Sequence, residues 1–321
     1  MDSVTQAALG SAIGYAVAGR RHGWKAAAAG ALCGTLPDLD VLISYGDPIA
    51  DYAEHRGFTH SLFWLTLAAP FVALILARIL RTSLDPPWVS GMGLALITHP
   101  ILDAFTVYGT RLWLPFSSEP VLWSTLFIID PLYTLPLIVA LVIALRSYRP
   151  RGTKAYSRAP LWALGISCAY LAWSVAAKAV VDAHIQDSLA RQGISHTRTI
   201  STPIFFNTLY WRAVAMTPDG YYEGYLRVFS SDETQWRYRS SRTDLIADLE
   251  ASKAFRQLRW FSRGFYRVRV QGDSIVAADL RMGVGDTLIF QFIVGDIGPQ
   301  GITLRSLSER VRSDYSQILS E

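Results

Sequence analysis

Two histidines, two hydroxyls, an arginine and a carboxylate fall within eight residues in EHRGFTHS, Glu54 to Ser61. Side chains of these types move protons and hold metals. Two more stretches carry the same chemistry: TLPDLD with Asp38 and Asp40, and HPILD with His99 and Asp103. On a helix His99 and Asp103 stand at i and i+4, on one face, with side chains about 5–6 Å apart, which suits two ligands of one metal or of adjacent metals. Alone, such a pair is more often a hydrogen-bonded couple. Asp38 and Asp40 can project to one side of an extended turn, where two carboxylates repel unless a cation or arginine lies between them; alone they would be a polar helix end after Pro37. His55 and His60 alone would be surface-loop histidines. Taken together, Asp38, Asp40, His55, His60, His99 and Asp103 are expected to form a metal site.

Imidazole and carboxylate donors without cysteine suit a divalent ion, zinc first, with manganese or iron(II) as alternatives. Bridging aspartates, Asp38 among them, would hold two ions, and a water shared between them turns acidic near neutral pH and becomes a nucleophile. Arg56 and Arg111 can each grip a phosphate bidentately, with interfacial anchoring as the plainer alternative. Glu54 is a candidate general base and equally a solvated loop carboxylate. Thr59 and Ser61 lack a Ser-His-Asp arrangement, so a serine-hydrolase mechanism is not expected. Cys33 and Cys168 lie inside apolar stretches and are expected as packed free thiols without a disulfide.

The elements that must position these residues are apolar. The chain has 321 residues, 51% of them hydrophobic and only 17% charged, with a mean hydropathy of +0.23. That is too apolar for an ordinary soluble protein of this length. Long uncharged runs occupy residues 1–183, whereas residues 184–321 alternate in short segments with dense charge. The expectation is a polytopic helical membrane domain of about six segments, over residues 7–19, 26–43, 62–80, 88–107, 121–145 and 160–181, followed by a small α+β extracytoplasmic domain. Asp2, rather than a basic cluster, precedes the first apolar stretch, so no cleaved secretory signal is expected.

Basic residues set the expected orientation. Arg20, Arg21, Lys25, Arg78, Arg81, Arg146, Arg149, Arg151, Lys154 and Arg158 fall in loops expected to be cytoplasmic. Asp47, Asp51, Glu54 and Glu119, with only Arg56 and Arg111 as basic residues, fall in the others. The candidate metal ligands, together with Asp130 and Gln6, then share the outer leaflet. The net charge of +4 reports loop bias and implies no nucleic-acid partner. In the tail, Tyr210 to Phe229 gives two alternating runs about a Pro-Asp-Gly turn, a hairpin. Asp244 to Phe261 has helical spacing, and Phe265 to Met282 and Thr287 to Asp296 supply further strands.

The motifs GTLPDLDVL, HRGFTHSLF and THPILDAFTVYGT, in this order within the first 110 residues, resemble the YdjM-type family of inner-membrane-associated proteins assigned by inference to metal-dependent hydrolysis. The resemblance covers about the first 135 residues well. It implies a protein of the bacterial cytoplasmic (inner) membrane with a hydrolase site at Asp38, Asp40, His55, His60, His99 and Asp103, and no particular substrate. Many members read THxxLG where this chain has TQAALG, so Gln6 replaces a histidine and offers only a carbonyl oxygen or an amide. Two function classes follow. One is a hydrolase acting on a membrane lipid or lipid-linked ester or phosphoester; the other is a non-enzymatic metal-binding membrane protein whose outer domain recruits a protein partner.

Overall fold

A computed structural model gives the fold and describes residues 1–147, 156–204, 206–230 and 232–311. Arg149, Arg151 and Lys154 of the expected basic loop lie outside the described residues. The chain divides into two compact units. The first comprises Met1–Asp40, Arg56–Ala176 and Phe205–Thr208; the second comprises Val41–His55, Ala177–Ile204 and Leu209–Glu321.

The helices run in order α1 (Ser3–His22), α2 (Trp24–Thr35), α3 (Pro48–Glu54), α4 (Leu62–Ile79), α5 (Pro86–Ala104), α6 (Pro131–Ser147) and α7 (Ala159–Arg191), with 3-10 turns at Leu36–Leu42 and Phe58–His60. The expectation of six membrane segments does not hold. Among the described residues only α4 and α7 are long and apolar enough to cross a membrane, and α6 is apolar but has 17 residues. The reasons are local. α2 has 12 residues, about 18 Å of helix against a hydrocarbon core of about 30 Å. It gives way to the 3-10 turn at Leu36–Leu42, whose Pro37 has no N–H to continue an α-helix. Residues 105–130 hold no helix, and the chain turns helical only at Pro131, where Asp130 accepts from the N–H groups of Leu132 and Tyr133.

In the first unit α4 bares Phe63, Leu67, Phe71, Ile75 and Ile79, one apolar stripe at i, i+4 spacing, as a lipid-facing helix does. Its opposite face joins a core with α1, α2 and α5 built from Leu9, Ile13, Ala73, Trp88, Met92 and Leu96. α1 and α2 cross through glycines. A Cβ on Gly10 would sit 2.2 Å from the Gly30 carbonyl oxygen, and one on Gly34 would sit 2.3 Å from that of Gln6. Small residues at four-residue spacing let the two backbones touch.

The second unit is β-rich rather than an even α+β mixture. Strands β1 (Arg198–Pro203), β2 (Tyr210–Thr217), β3 (Gly220–Arg227) and β4 (Arg237–Ser240) form one antiparallel sheet in sequence order. The hairpin expected about Pro218-Asp219-Gly220 is β2–β3, with Thr217 facing Gly220. The helical spacing of 244–261 is interrupted: α8 (Ile246–Leu249) stops, and Ser252 caps α9 (Lys253–Phe261) through the Phe255 N–H. Then follow β5 (Tyr266–Gln271), β6 (Ser274–Asp279), the two-residue strands β7 (Gly283–Val284) and β8 (Thr287–Leu288), β9 (Gln291–Gly298) and β10 (Gly301–Arg310). The second sheet has the order β10-β9-β6-β5. α3 belongs to this unit, with Tyr52 stacked on Phe290 and its hydroxyl donating to Asp279. Cys33 is buried as expected, whereas Cys168 is exposed on the outside of α7.

Candidate metal centre

Four donor atoms converge in the first unit. Asp38 Oδ1 lies 3.4 Å from His60 Nε2 and 3.4 Å from His99 Nε2, and the two Nε2 atoms are 3.1 Å apart. Asp103 Oδ2 is 3.4 Å from His60 Nε2 and 3.6 Å from His99 Nε2. Four nitrogen and oxygen donors placed tetrahedrally about 2.0–2.1 Å from a zinc-sized ion are separated by edges of about 3.3 Å. Five edges of the cluster match that value. Asp103 Oδ2 is buried against Arg56 Nε at 3.1 Å, and Gln6 Oε1 is buried without a hydrogen bond while its Nε2 donates to Asp103 Oδ1 at 2.9 Å. The donor types and their spacing therefore fit a divalent cation.

The imidazoles are turned to present Nε2. His99 Nδ1 donates to the Gly34 carbonyl at 2.5 Å. That carbonyl is where it is because Gly34 lets α2 press against α1. His60 Nδ1 lies 3.0 Å from Thr59 Oγ1, which donates to Asp40 Oδ2 at 2.7 Å. Both arrangements fix the tautomer and aim the lone pair of the other nitrogen inward. Asp40 thus stands behind His60 and outside the group of four donors, and its Oδ2 also accepts the Arg56 N–H at 3.0 Å. Asp103 further pairs with the amine of Met1.

Electrostatics show the carboxylates and imidazoles holding one another's charge. Burial alone would raise the Asp38 carboxyl, but hydrogen bonds from His60 and His99 and the charge of His99 hold it below the usual carboxylate range. Burial would likewise lower His60, yet its hydrogen bonds to Asp103 and Asp38 outweigh that and raise it. A proton on imidazole thereby takes the positive role that a metal ion would fill.

The other expected residues are placed as follows. His55 and Glu54 belong to the second unit, where Glu54 accepts from Gln257 Nε2 at 3.2 Å. Arg56 is buried, its Nε 3.1 Å from Asp103 Oδ2 and its Nη1 donating to Thr106, with the guanidinium over the Tyr108 ring at 4.6 Å. Its backbone is left-handed, φ 66°, a conformation that costs an arginine about 1–3 kcal/mol. It is pinned by the Asp40 contact and by Arg111, whose N–H donates to the Arg56 carbonyl at 3.1 Å. Arg111 itself is buried. Sequence reasoning missed Gly34, Thr59, Thr106 and Tyr108 as supports. Gly34 stood in the GTLPDLDVL motif and Thr59 in EHRGFTHS, but a backbone carbonyl or a bridging hydroxyl leaves no mark in spacing.

Residues 1–181 match the family model described as YdjM inner membrane protein. The chain therefore belongs to the YdjM family of inner membrane proteins, and it carries the buried His–Asp cluster described above. Inner membrane protein YbcI of Escherichia coli (strain K12) is 32% identical over 119 residues, 36% of this chain and 68% of that protein. YfhP of Bacillus subtilis (strain 168), whose name carries no activity, is 29% identical over 111 residues, a span of 33% of either protein. No solved structure matches.

Proposed function

We propose that this protein is a membrane-embedded metal-dependent hydrolase acting on a lipid-borne ester or phosphoester, with zinc as the ion. The observation that carries it is an asymmetry within the tetrahedron. His60, His99 and Asp103 are fully buried, whereas the Asp38 side chain is 19% exposed and rides on a 3-10 turn. Three fixed protein ligands with one exchangeable position is the pattern of catalytic zinc. A bound divalent ion supplies Lewis acidity to a water or to the ester oxygen. The chain's own groups do the rest. Asp38 Oδ1, which faces both imidazoles, would accept the proton released by an activated water, while Arg56, anchored on Asp103 and Tyr108, would place a positive charge beside an anionic headgroup.

The membrane setting supports a lipid substrate and an outer location for the site. α1, α2, α4 and α5 of the first unit bring their basic ends together: Arg21 and His22 reach Asp85, Lys25 reaches the Arg81 carbonyl, and Arg20 lies over Tyr156. The metal cluster lies at the other end of the same helices. Basic ends face the cytoplasm, so the cluster and the second unit are extracytoplasmic in this reading. Exposed Leu36, Leu39, Phe58, Trp113, Phe116 and Trp123 belong to the segments around the cluster, and Trp is favoured at the headgroup level.

One observation favours a second reading: four protein donors suffice to close a tetrahedral site, which makes the ion structural or sensed and leaves the second unit to recruit a protein partner. The test is to load the purified protein with zinc or manganese and offer phospholipids and lipid-linked phosphates, comparing wild type with Asp38→Asn. Metal-dependent release of product that Asp38→Asn abolishes upholds the hydrolase. Full metal occupancy with every lipid untouched favours the closed site.

A further inference from the structure

The second unit holds a buried network of arginines that its carboxylates do not saturate. Glu223 accepts from Arg212 Nε at 2.6 Å and from the Gly285 N–H through Oε1, and from Arg239 Nε at 2.9 Å through Oε2. Asp286, at the turn between β7 and β8, accepts from Arg239 Nη1 through Oδ2 and from Arg267 Nη1 through Oδ1, both at 2.7 Å. All four carboxylate oxygens are thereby taken. Arg269, two residues along β5 from Arg267 and on the same face, adds a fourth guanidinium to these two carboxylates. It spends Nη2 on Gln291 and Gln271. Burial and the neighbouring Arg267 charge hold the Arg269 guanidinium below its usual value.

What remains is specific in geometry. Arg267 is 5% exposed, and its Nε and Nη2 have no hydrogen-bond partner; neither has Nε of Arg269. The N–H groups on Nε and Nη2 of one guanidinium point the same way and make the side-on fork that grips two oxygens of one anion. A carboxylate has two oxygens to give. A third donor from Arg269, and two positive charges in excess, match an anion with a third acceptor oxygen and a double charge. β5 is the edge strand of its sheet, and Asp286, which holds the Nη1 end of Arg267, is 64% exposed.

We propose that the second unit binds a phosphate dianion, as inorganic phosphate or a phosphomonoester, on the Nε/Nη2 edge of Arg267 with Nε of Arg269 as the third donor. The site is separate from the metal cluster and does not rest on the hydrolase reading. Calorimetric titration of the full chain in detergent, stripped of metal with a chelator, with inorganic phosphate tests it. Saturable binding is expected, weakened about tenfold or more in Arg267→Gln and several-fold in Arg269→Gln, and unchanged in His99→Ala. Should Arg267→Gln fail to fold, Arg267→Lys keeps the charge but loses the fork, and an equal weakening is expected. Competition by phosphatidylcholine vesicles containing phosphatidic acid would place the phosphate on a lipid headgroup; binding of inorganic phosphate without that competition would make it a free phosphate. No saturable binding, or the same affinity in wild type and in both Arg267 variants, overturns the proposal.

Discussion

The first unit closes its buried charges on one another around the His–Asp cluster, Asp103 against Arg56 and Asp38 against two imidazoles, whereas the second leaves guanidinium donors over. Beside His60 and His99 the buried Asp103 Oδ2 meets Arg56 Nε at 3.1 Å, while in the second unit N–H groups of Arg212, Arg267 and Arg269 are buried without a hydrogen-bond partner. Buried polar groups are ordinarily paired, so the donors left over on Arg267 and Arg269 indicate a ligand of the opposite sign. The two regions also differ in what their carboxylates do. Asp38 meets imidazoles that a metal would hold equally well, whereas Glu223 holds Arg212, itself 1% exposed, inside a sheet.

Removing one carboxylate from each region should therefore have opposite consequences. Glu223→Gln leaves Arg212 buried and unpaired and should destabilise the second unit by about 3–5 kcal/mol, read as a fall in the denaturation midpoint. Asp38→Asn should lower metal affinity while shifting thermal stability of the metal-free protein by less than about 1 kcal/mol. Equal losses of stability would erase the distinction between the two carboxylates.

Changing a ligand should exceed changing its support. His99→Ala removes one corner of the tetrahedron and should weaken metal binding by more than about a hundredfold, as measured by competition with a chromophoric chelator. Thr59→Val breaks the relay from Asp40 to His60 and should weaken it by about 10–100-fold. Gly34→Ala acts at a distance: its Cβ would meet the Gln6 carbonyl oxygen at 2.3 Å, forcing α1 from α2 at a cost of about 1–3 kcal/mol. It should also loosen the metal, since the Gly34 carbonyl orients His99.

The smallest effect is in pH. Glu223 is pushed up by burial but more strongly held down by Arg212 and Arg239, so its folded value lies below its unfolded one. Its stabilising contribution is present above the unfolded carboxylate range and fades as pH falls through the folded value. Acid unfolding of wild type should show that loss, and Glu223→Gln should flatten the curve over the same window.

Legibility in the sequence differed between the regions for physical reasons. His99 and Asp103 share a helix face because 3.6 residues make a turn, so their pairing was open to inspection, and the three motifs carried the family. Hairpin β2–β3 was equally plain from Pro218-Asp219-Gly220. Hydropathy misjudged the spans, because α1, α2 and α5 are apolar toward protein rather than lipid, and windows of composition do not distinguish the two. The sequence also offered no means to see that Asp40 would stand behind His60, since i and i+2 carboxylates diverge on a 3-10 turn. The arginine network was invisible: spacing marks a strand through Arg267 and Arg269, but Glu223 and Asp286, the carboxylates of the network, lie on other elements remote in sequence.

The central claim is that Asp38, His60, His99 and Asp103 hold one divalent ion. Elemental analysis of full-length protein purified without chelators, together with zinc reconstitution of stripped protein, measures it directly. About one transition-metal ion per chain is expected, lost in His99→Ala and retained in Glu54→Gln, whose carboxylate lies in the second unit. Wild type without metal after purification and after reconstitution, or His99→Ala with an undiminished ion content, would contradict the account.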